Sequence, residues 1–210
     1  ELDIPPEVNE GVGMISYMGH GSLYITDLNF GFASAVSKGY RNAGKYPLLY
    51  FNGCGVGNIF NGRSNTNLNA GDKIPLSLDW VLSKDKGAIA VIANSFESYT
   101  SPSVKYLDHL YKNLFNDQEQ EILSIGKIQQ NTVAELLNSG VNTYDIGNIH
   151  QSVLQGDPAV KLIRVAKPDY AMNSDNAITI FADKNATNID KSDSLQLQII
   201  LKNGGRYTQG

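Results

Sequence analysis

Cys54 is the only cysteine in the chain, and it stands between two glycines where the apolar run Tyr46–Phe51 stops, in Asn52-Gly53-Cys54-Gly55-Val56-Gly57. His20 has the same setting, between Gly19 and Gly21 at the end of the apolar run 11–18. A thiol and an imidazole are the parts of nucleophilic acyl transfer. The thiolate attacks a carbonyl, and the imidazole gives its proton to the leaving group and then activates water. A free cysteine, with a pKa near 8.5, is only a few per cent thiolate at neutral pH, so an adjacent imidazolium helps. Glycine on either side lets backbone and substrate approach closely. A pair of this kind needs two scaffold elements that bring His20 and Cys54 together.

The sequence supplies candidates for both. Apolar runs with a β-branched and aromatic bias, stopped by glycines, read as buried strands of a parallel sheet. Reacting groups in such sheets collect at the carboxyl ends of the strands. The 34 residues separating His20 from Cys54 accommodate one crossover between adjacent parallel strands. A helix is expected there near 30–43, capped by Asp27 or Asn29, with Phe30, Phe32, Ala33, Val36 and Tyr40 at helical spacing and Gly44 as its stop. Residues 1–10 read as an irregular lead-in, because Pro5-Pro6 argues against a helix.

Further along, a polar loop fills 57–73 and a helix is expected over 75–84. Ala88–Ala93 is a third apolar strand, leading to the polar tip Asn94-Ser95-Phe96-Glu97-Ser98. Strand–tip units joined by helical segments make an α/β parallel sheet the expected architecture. From 103 the pattern is helical as far as Gly140. The turn Gly156-Asp157-Pro158 then precedes a short expected strand, Ala159–Val165. After Lys167-Pro168 two alternating runs, Ala177–Ala182 and Leu195–Leu201, mark a separate β module of immunoglobulin-like character. Forty residues hold fewer than the roughly seven strands of such a sandwich, so the module reads as its start only.

Composition narrows the function. The chain has 210 residues with 41% apolar and 18% charged content, which describes an ordinary globular protein. No apolar run approaches the roughly 20 residues of a membrane helix. A net charge of −4 without a Lys/Arg cluster argues against a nucleic-acid partner. One cysteine excludes an internal disulfide framework, and three scattered histidines give no metal site. The start lacks the pattern of a signal peptide, which leaves a cytoplasmic protein or a piece of a longer precursor. The chain opens and closes mid-pattern, and that favours the piece.

The ordered set Tyr17-Met18-Gly19-His20-Gly21-Ser22, Asn52-Gly53-Cys54, Lys86-Gly87-Ala88-Ile89-Ala90 and Leu154-Gln155-Gly156-Asp157-Pro158-Ala159 resembles the gingipain-like cysteine peptidases. These form peptidase family C25 of the caspase-like clan and include the sortases of type IX secretion. The resemblance implies a caspase-like, mostly parallel sheet flanked by helices over residues 1–168, with 169–210 as the start of an immunoglobulin-like domain. It implies His20 and Cys54 as the catalytic dyad, and the backbone N–H groups of Gly21 and Cys54 as the oxyanion hole. Substrate-pocket residues would come from the stretch Asn94–Tyr99, Asn94, Ser95, Phe96 and Glu97 first among them, and from part of the 57–73 loop. The family's sheet has two further strands, and an acid orienting the histidine, ahead of the histidine strand. Only about ten residues precede Gly11, so the chain is expected to lack them.

On this resemblance the protein is a secreted or outer-membrane-associated cysteine endopeptidase acting on protein or peptide substrates. No cofactor is expected, and a structural calcium has no position assigned to it. Expected partners are an upstream segment of the same precursor, or a second copy meeting an exposed strand edge at 11–18. Three other readings stay open. The chain could be an inactive pseudo-peptidase serving as a cell-surface binding module, or a cytoplasmic hydrolase of small amides, or Cys54 could be only a buried thiol. His109 reads as structural or surface, an approach of His150 to the site has no spacing to support it, and Glu97 is a position to test for selectivity toward basic side chains.

Overall fold

In a computed structural model of the chain, the described residues are 3–60, 74–115, 122–162, 170–172, 177–182, 188–192 and 194–203. They belong to two compact units, Glu1–Leu162 and Ile163–Gly210.

The first unit is built on a four-stranded sheet of order β1 (Met14–Met18), β4 (Leu48–Asn52), β5 (Ala90–Asn94) and β6 (Ser152–Gly156). The first three are mutually parallel and β6 runs antiparallel to β5. Every residue of β4 and of β5 is buried, as strands covered on both faces require. Alternate side chains feed two cores. Leu49 and Phe51 of β4 join Val91 and Ala93 on one face, under α1 (Ile4–Glu10) and α2 (Leu76–Leu82). Leu48 and Tyr50, with Ala90 and Ile92, face α3 (Thr100–Leu114) and α4 (Ile125–Asn138) on the other. α5 (Thr143–Gln151) leads directly into β6.

Four local expectations are corrected. The lead-in is helical, because Pro5 and Pro6 fall in the first turn of α1, where the missing N–H groups would have no partner in any case. The crossover at 30–43 is not an α-helix. It holds the short β2 (Gly21–Ser22) and β3 (Ile25–Thr26) hairpin ahead of it and then only a 3-10 turn, Val36–Lys38. Gly31 takes φ +63° inside the expected helix, and side chains from elsewhere replace the helical ladder. Trp80 Nε1 donates to the Gly31 carbonyl (2.9 Å), Tyr40 Oη to Phe30 O (2.8 Å), and Ser34 N to Asp79 Oδ2 (3.0 Å). The apolar residues that suggested the helix do reach the core: Phe30, Ala33 and Tyr40 are buried. At the other end the strand lies before the Gly156 turn, as β6, and not after it. Beyond the turn Lys161 forms an isolated bridge with Ser124, and 163–165 lie outside the described residues. Finally, the helical stretch expected from 103 breaks into α3, which starts earlier, at Thr100, and α4, and α5 follows where no helix was expected.

α5 carries its own start signal. Asn142 Oδ1 accepts from Tyr144 N (2.8 Å) and Asp145 N (3.0 Å), while Asp145 Oδ2 accepts from Asn142 N (3.0 Å), a reciprocal capping box. Lys105 of α3 adds an ion pair to Asp145 Oδ2 at 2.8 Å. The Asn142 N–H and then Lys105 hold the Asp145 carboxyl below the usual carboxylate range. A depressed folded pKa stabilises the fold fully above the ordinary value and loses that contribution as pH falls through the folded one. Asp145→Ala is therefore expected to cost about 1 kcal/mol at neutral pH. In thermal melts on an acid series the gap to wild type should close toward low pH. A gap that is constant with pH would contradict the assignment.

In the second unit β8 (Ile178–Ala182) pairs antiparallel with β9 (Leu195–Ile199). β7 (Tyr170–Ala171) pairs antiparallel with β10 (Lys202–Asn203).

Candidate active site

Strand register brings the two glycine-rich turns together. Met18 of β1 is paired with Asn52 of β4, and Gly19 N donates to the Asn52 carbonyl at 3.1 Å. His20 and Cys54 each lie two residues beyond that pair, in the turns that follow the adjacent parallel strands β1 and β4. The turns that carry them touch. A Cβ added at Gly21 would stand 3.2 Å from Gly53 Cα and 2.6 Å from Val56 Cγ2. One added at Gly53 would stand 3.2 Å from Gly21 Cα. Both positions must be glycine for the two turns to close on each other.

Each turn is held from beneath. On the histidine side, the buried Tyr17 sends its hydroxyl to the His20 carbonyl, and the same oxygen accepts from Asp27 N (3.1 Å). Asp27 N also reaches His20 O (3.2 Å), so the chain on either side of the hairpin is tied to the histidine's own peptide. Burial raises the Tyr17 phenol above its ordinary pKa, which keeps it a donor. His20 itself is exposed.

On the cysteine side, the turn is laced to the tip of β5. Gly57 N donates to Asn94 O (2.8 Å) and Gly55 N to Phe96 O (2.9 Å). Gly55 takes φ +67°, the left-handed conformation that turns the chain back at this point. Ser77 Oγ, from the first turn of α2, donates to the Val56 carbonyl (2.9 Å). Cys54 is partly buried and its thiol is free. Two donors from one residue converge on its sulfur: Ser98 N at 3.4 Å and Ser98 Oγ at 3.9 Å.

The expected pocket residues separate by environment. Phe96 and Glu97 are exposed and Ser95 is partly buried. Asn94 is fully buried, with its amide donating to Asn148 Oδ1 (3.2 Å) and accepting from Ser152 Oγ (3.4 Å). Its side chain anchors the tip to α5 and β6. Gln151 at the end of α5 grips the same tip twice, through Ser95 N→Gln151 O (2.9 Å) and Gln151 Nε2→Glu97 O (2.6 Å). The Glu97 carboxylate accepts from Tyr99 Oη (3.3 Å), and that bond raises the Tyr99 phenol above its usual pKa. Residues 61–73 of the other expected pocket loop lie outside the described residues. His109 faces Glu135 across α3 and α4 (3.1 Å), and His150 is exposed in the last turn of α5.

Tyr17 and Ser98 were not singled out as site residues from sequence. Both lie inside stretches that were, but no spacing rule says which residue of a strand tip returns to the sulfur.

The profile of peptidase family C25 matches residues 2–163. This chain belongs to peptidase family C25. Among solved structures, the C25 chain is similar to the Arg-specific cysteine proteinase gingipain R (RgpB), at 18% identity and TM-score 0.60, over 87% of this chain and 40% of that one. It is also similar to the complex of Porphyromonas gingivalis RgpB pro- and mature domains (17%, TM-score 0.58, over 87% and 40%). A third similar structure is described as a protease (15%, TM-score 0.56, over 97% and 51%). At such identities these neighbours establish the fold, a parallel sheet flanked by helices as in gingipain. The C25 chain spans 40% of the length of the two gingipain structures. No curated protein matches it. Among the described residues, no helix is long and apolar enough to cross a membrane.

Proposed function

We propose that this chain carries the nucleophile and acid–base residue of a cysteine endopeptidase, Cys54 and His20. The observation that supports the reading is the Met18–Asn52 register with the Gly21–Gly53 contact, which brings together the turns that carry the two residues. Family C25 membership supports the same chemistry.

The steps follow from the groups. The Cys54 thiolate adds to a peptide carbonyl and forms an S–C bond, and the carbonyl oxygen takes the charge. The C–N bond then breaks as His20 gives its proton to the departing amine. His20 next takes a proton from water as the water adds to the thioester, and the thiolate leaves with release of the acid product. The backbone N–H groups of Gly21 and Cys54, on touching turns, are assigned to the developing oxyanion. Removing one such donor typically costs 10²–10³ in rate. Acyl transfer of this kind needs no cofactor.

Around this core, Ser95, Phe96 and Glu97 are the proposed pocket residues. Residues 169–210 are proposed to begin an immunoglobulin-like domain, and the protein to act outside the cell on protein substrates. The similarity to the complex of RgpB pro- and mature domains makes a pro-segment the natural partner to propose. The test is casein hydrolysis by the protein and by Cys54→Ala. Cleavage that is lost in the variant and blocked by thiol alkylation is expected. Cleavage that survives Cys54→Ala would remove the thiol from the mechanism.

A further inference from the structure

The sulfur of Cys54 is touched by Ser98, to which the dyad assigns no part in the chemistry. We propose that Ser98 is a catalytic residue that binds the Cys54 thiolate through its backbone N–H and its hydroxyl, and so both activates the sulfur and fixes its direction. The inference rests on the reading of Cys54 as the nucleophile.

The geometry supports it at three levels. The two donors approach one acceptor, at 3.4 Å from the amide and 3.9 Å from the hydroxyl, within reach for a large, polarizable sulfur. Donors aimed at a charged form favour that form, and a thiolate gains far more from them than a thiol, which is a weak acceptor. The amide at 98 is also not a loose donor. The cysteine turn and the β5 tip are already joined at Gly57–Asn94 and Gly55–Phe96, and Ser98 N to the sulfur is the next rung of the same ladder. Ser98 immediately precedes Tyr99, the N-cap of the 15-residue helix α3, so its donors are fixed at the start of that helix.

The rigidity of the tip matters as much as its donors. Gln151 holds the backbone at Ser95 and Glu97, and Tyr99 packs edge-on against Tyr144 of α5 with ring centroids 5.1 Å apart. Ser98 thus lies between two anchored neighbours, and its donors are preorganised before any substrate arrives. The hydroxyl also tightens the division of labour in the site. His20 handles the proton, and Ser98 holds the charge that the proton leaves behind.

The experiment compares wild type, Ser98→Ala and Ser98→Thr. The readouts are the rate of Cys54 alkylation by iodoacetamide at pH 7 and the ultraviolet absorbance of the thiolate, taken against Cys54→Ala. Losing the hydroxyl while the amide remains should slow alkylation about three- to tenfold and lower the thiolate absorbance. Ser98→Thr, which keeps the hydroxyl, should restore both, with melting temperatures close to wild type throughout. If Ser98 merely packs over the sulfur, Ser98→Ala would expose the thiol and speed alkylation, and that result overturns the proposal. Unchanged alkylation and absorbance overturn it as well. In either case casein cleavage that still depends on Cys54 leaves the peptidase reading standing. A wild-type thiol with neither alkylation nor thiolate absorbance, in a protein that cleaves nothing, would instead sink the nucleophile reading and this inference with it.

Discussion

His20→Ala is expected to lower peptide hydrolysis by about 10²–10⁴-fold, the usual worth of a positioned general acid–base group. The loss should fall on kcat more than on KM, because the imidazole moves a proton in the transition state and makes little ground-state contact. Alkylation of Cys54 should slow in the same variant, since the thiol loses the proposed base that takes its proton. Fold stability should barely change. His20 is exposed, and the turn around it is held through its carbonyl by Tyr17 and Asp27, which the substitution leaves in place. Wild-type hydrolysis with His20→Ala would mean that another group moves the proton, and the strand-tip pairing would then have no catalytic meaning.

Gly57→Ala should cost a large share of stability for a single methyl group. A Cβ there would lie 2.4 Å from the Ala93 carbonyl oxygen, 2.7 Å from its carbon and 3.0 Å from its Cβ. These are atoms of β5, a fully buried central strand paired on both sides, and they have nowhere to go. Either the nucleophile turn lifts from the sheet or the sheet distorts, at about 3 kcal/mol. For a domain of this size that is a fall of roughly 6–12 °C in melting temperature. Lifting the turn also breaks Gly57 N–Asn94 O and carries the sulfur away from Ser98, so activity should fall with stability. Gly55→Ala makes an informative control. Its φ is +67°, but no atom lies within 4 Å of the added methyl, so only backbone strain of about 1 kcal/mol is expected. Equal melting temperatures for the two variants would show that the close approach to Ala93 is not what requires glycine at 57.

Much of the scaffold could be read without coordinates, for a local reason. β4 and β5 are continuous apolar runs because both of their faces are covered, and each run ends where the chain must turn tightly. That end-of-strand grammar is written in consecutive residues, so Gly19-His20-Gly21 and Gly53-Cys54-Gly55 stood out directly. The order of the four signals along the chain carried the family resemblance, and the family match and the gingipain fold agree with it.

Where local rules misled, a non-local partner had outbid them. The spacing of Phe30, Ala33 and Tyr40 looked helical because all three do enter one core. Trp80, Asp79 and Gly31 nevertheless let that segment bury them as an irregular crossover. Pro5 and Pro6 read as breakers, yet in a first turn they have no ladder to break. β6 lacked the apolar signature of its neighbours because its two buried positions are polar: Gln155, and Ser152, whose hydroxyl is taken up by Asn94 and by the Asn148 carbonyl.

By itself, then, the amino-acid sequence determined that this protein has apolar parallel strands ending in a histidine and a cysteine, each framed by glycine. Composition, burial pattern and turn chemistry act over a few residues, and a reader can sum them. Only the tertiary structure decided that these two tips share a register, that Gly21 and Gly53 meet, and that Ser98 comes back to the sulfur. Those three facts depend on hydrogen bonds and packing between segments tens of residues apart, and no local propensity encodes them.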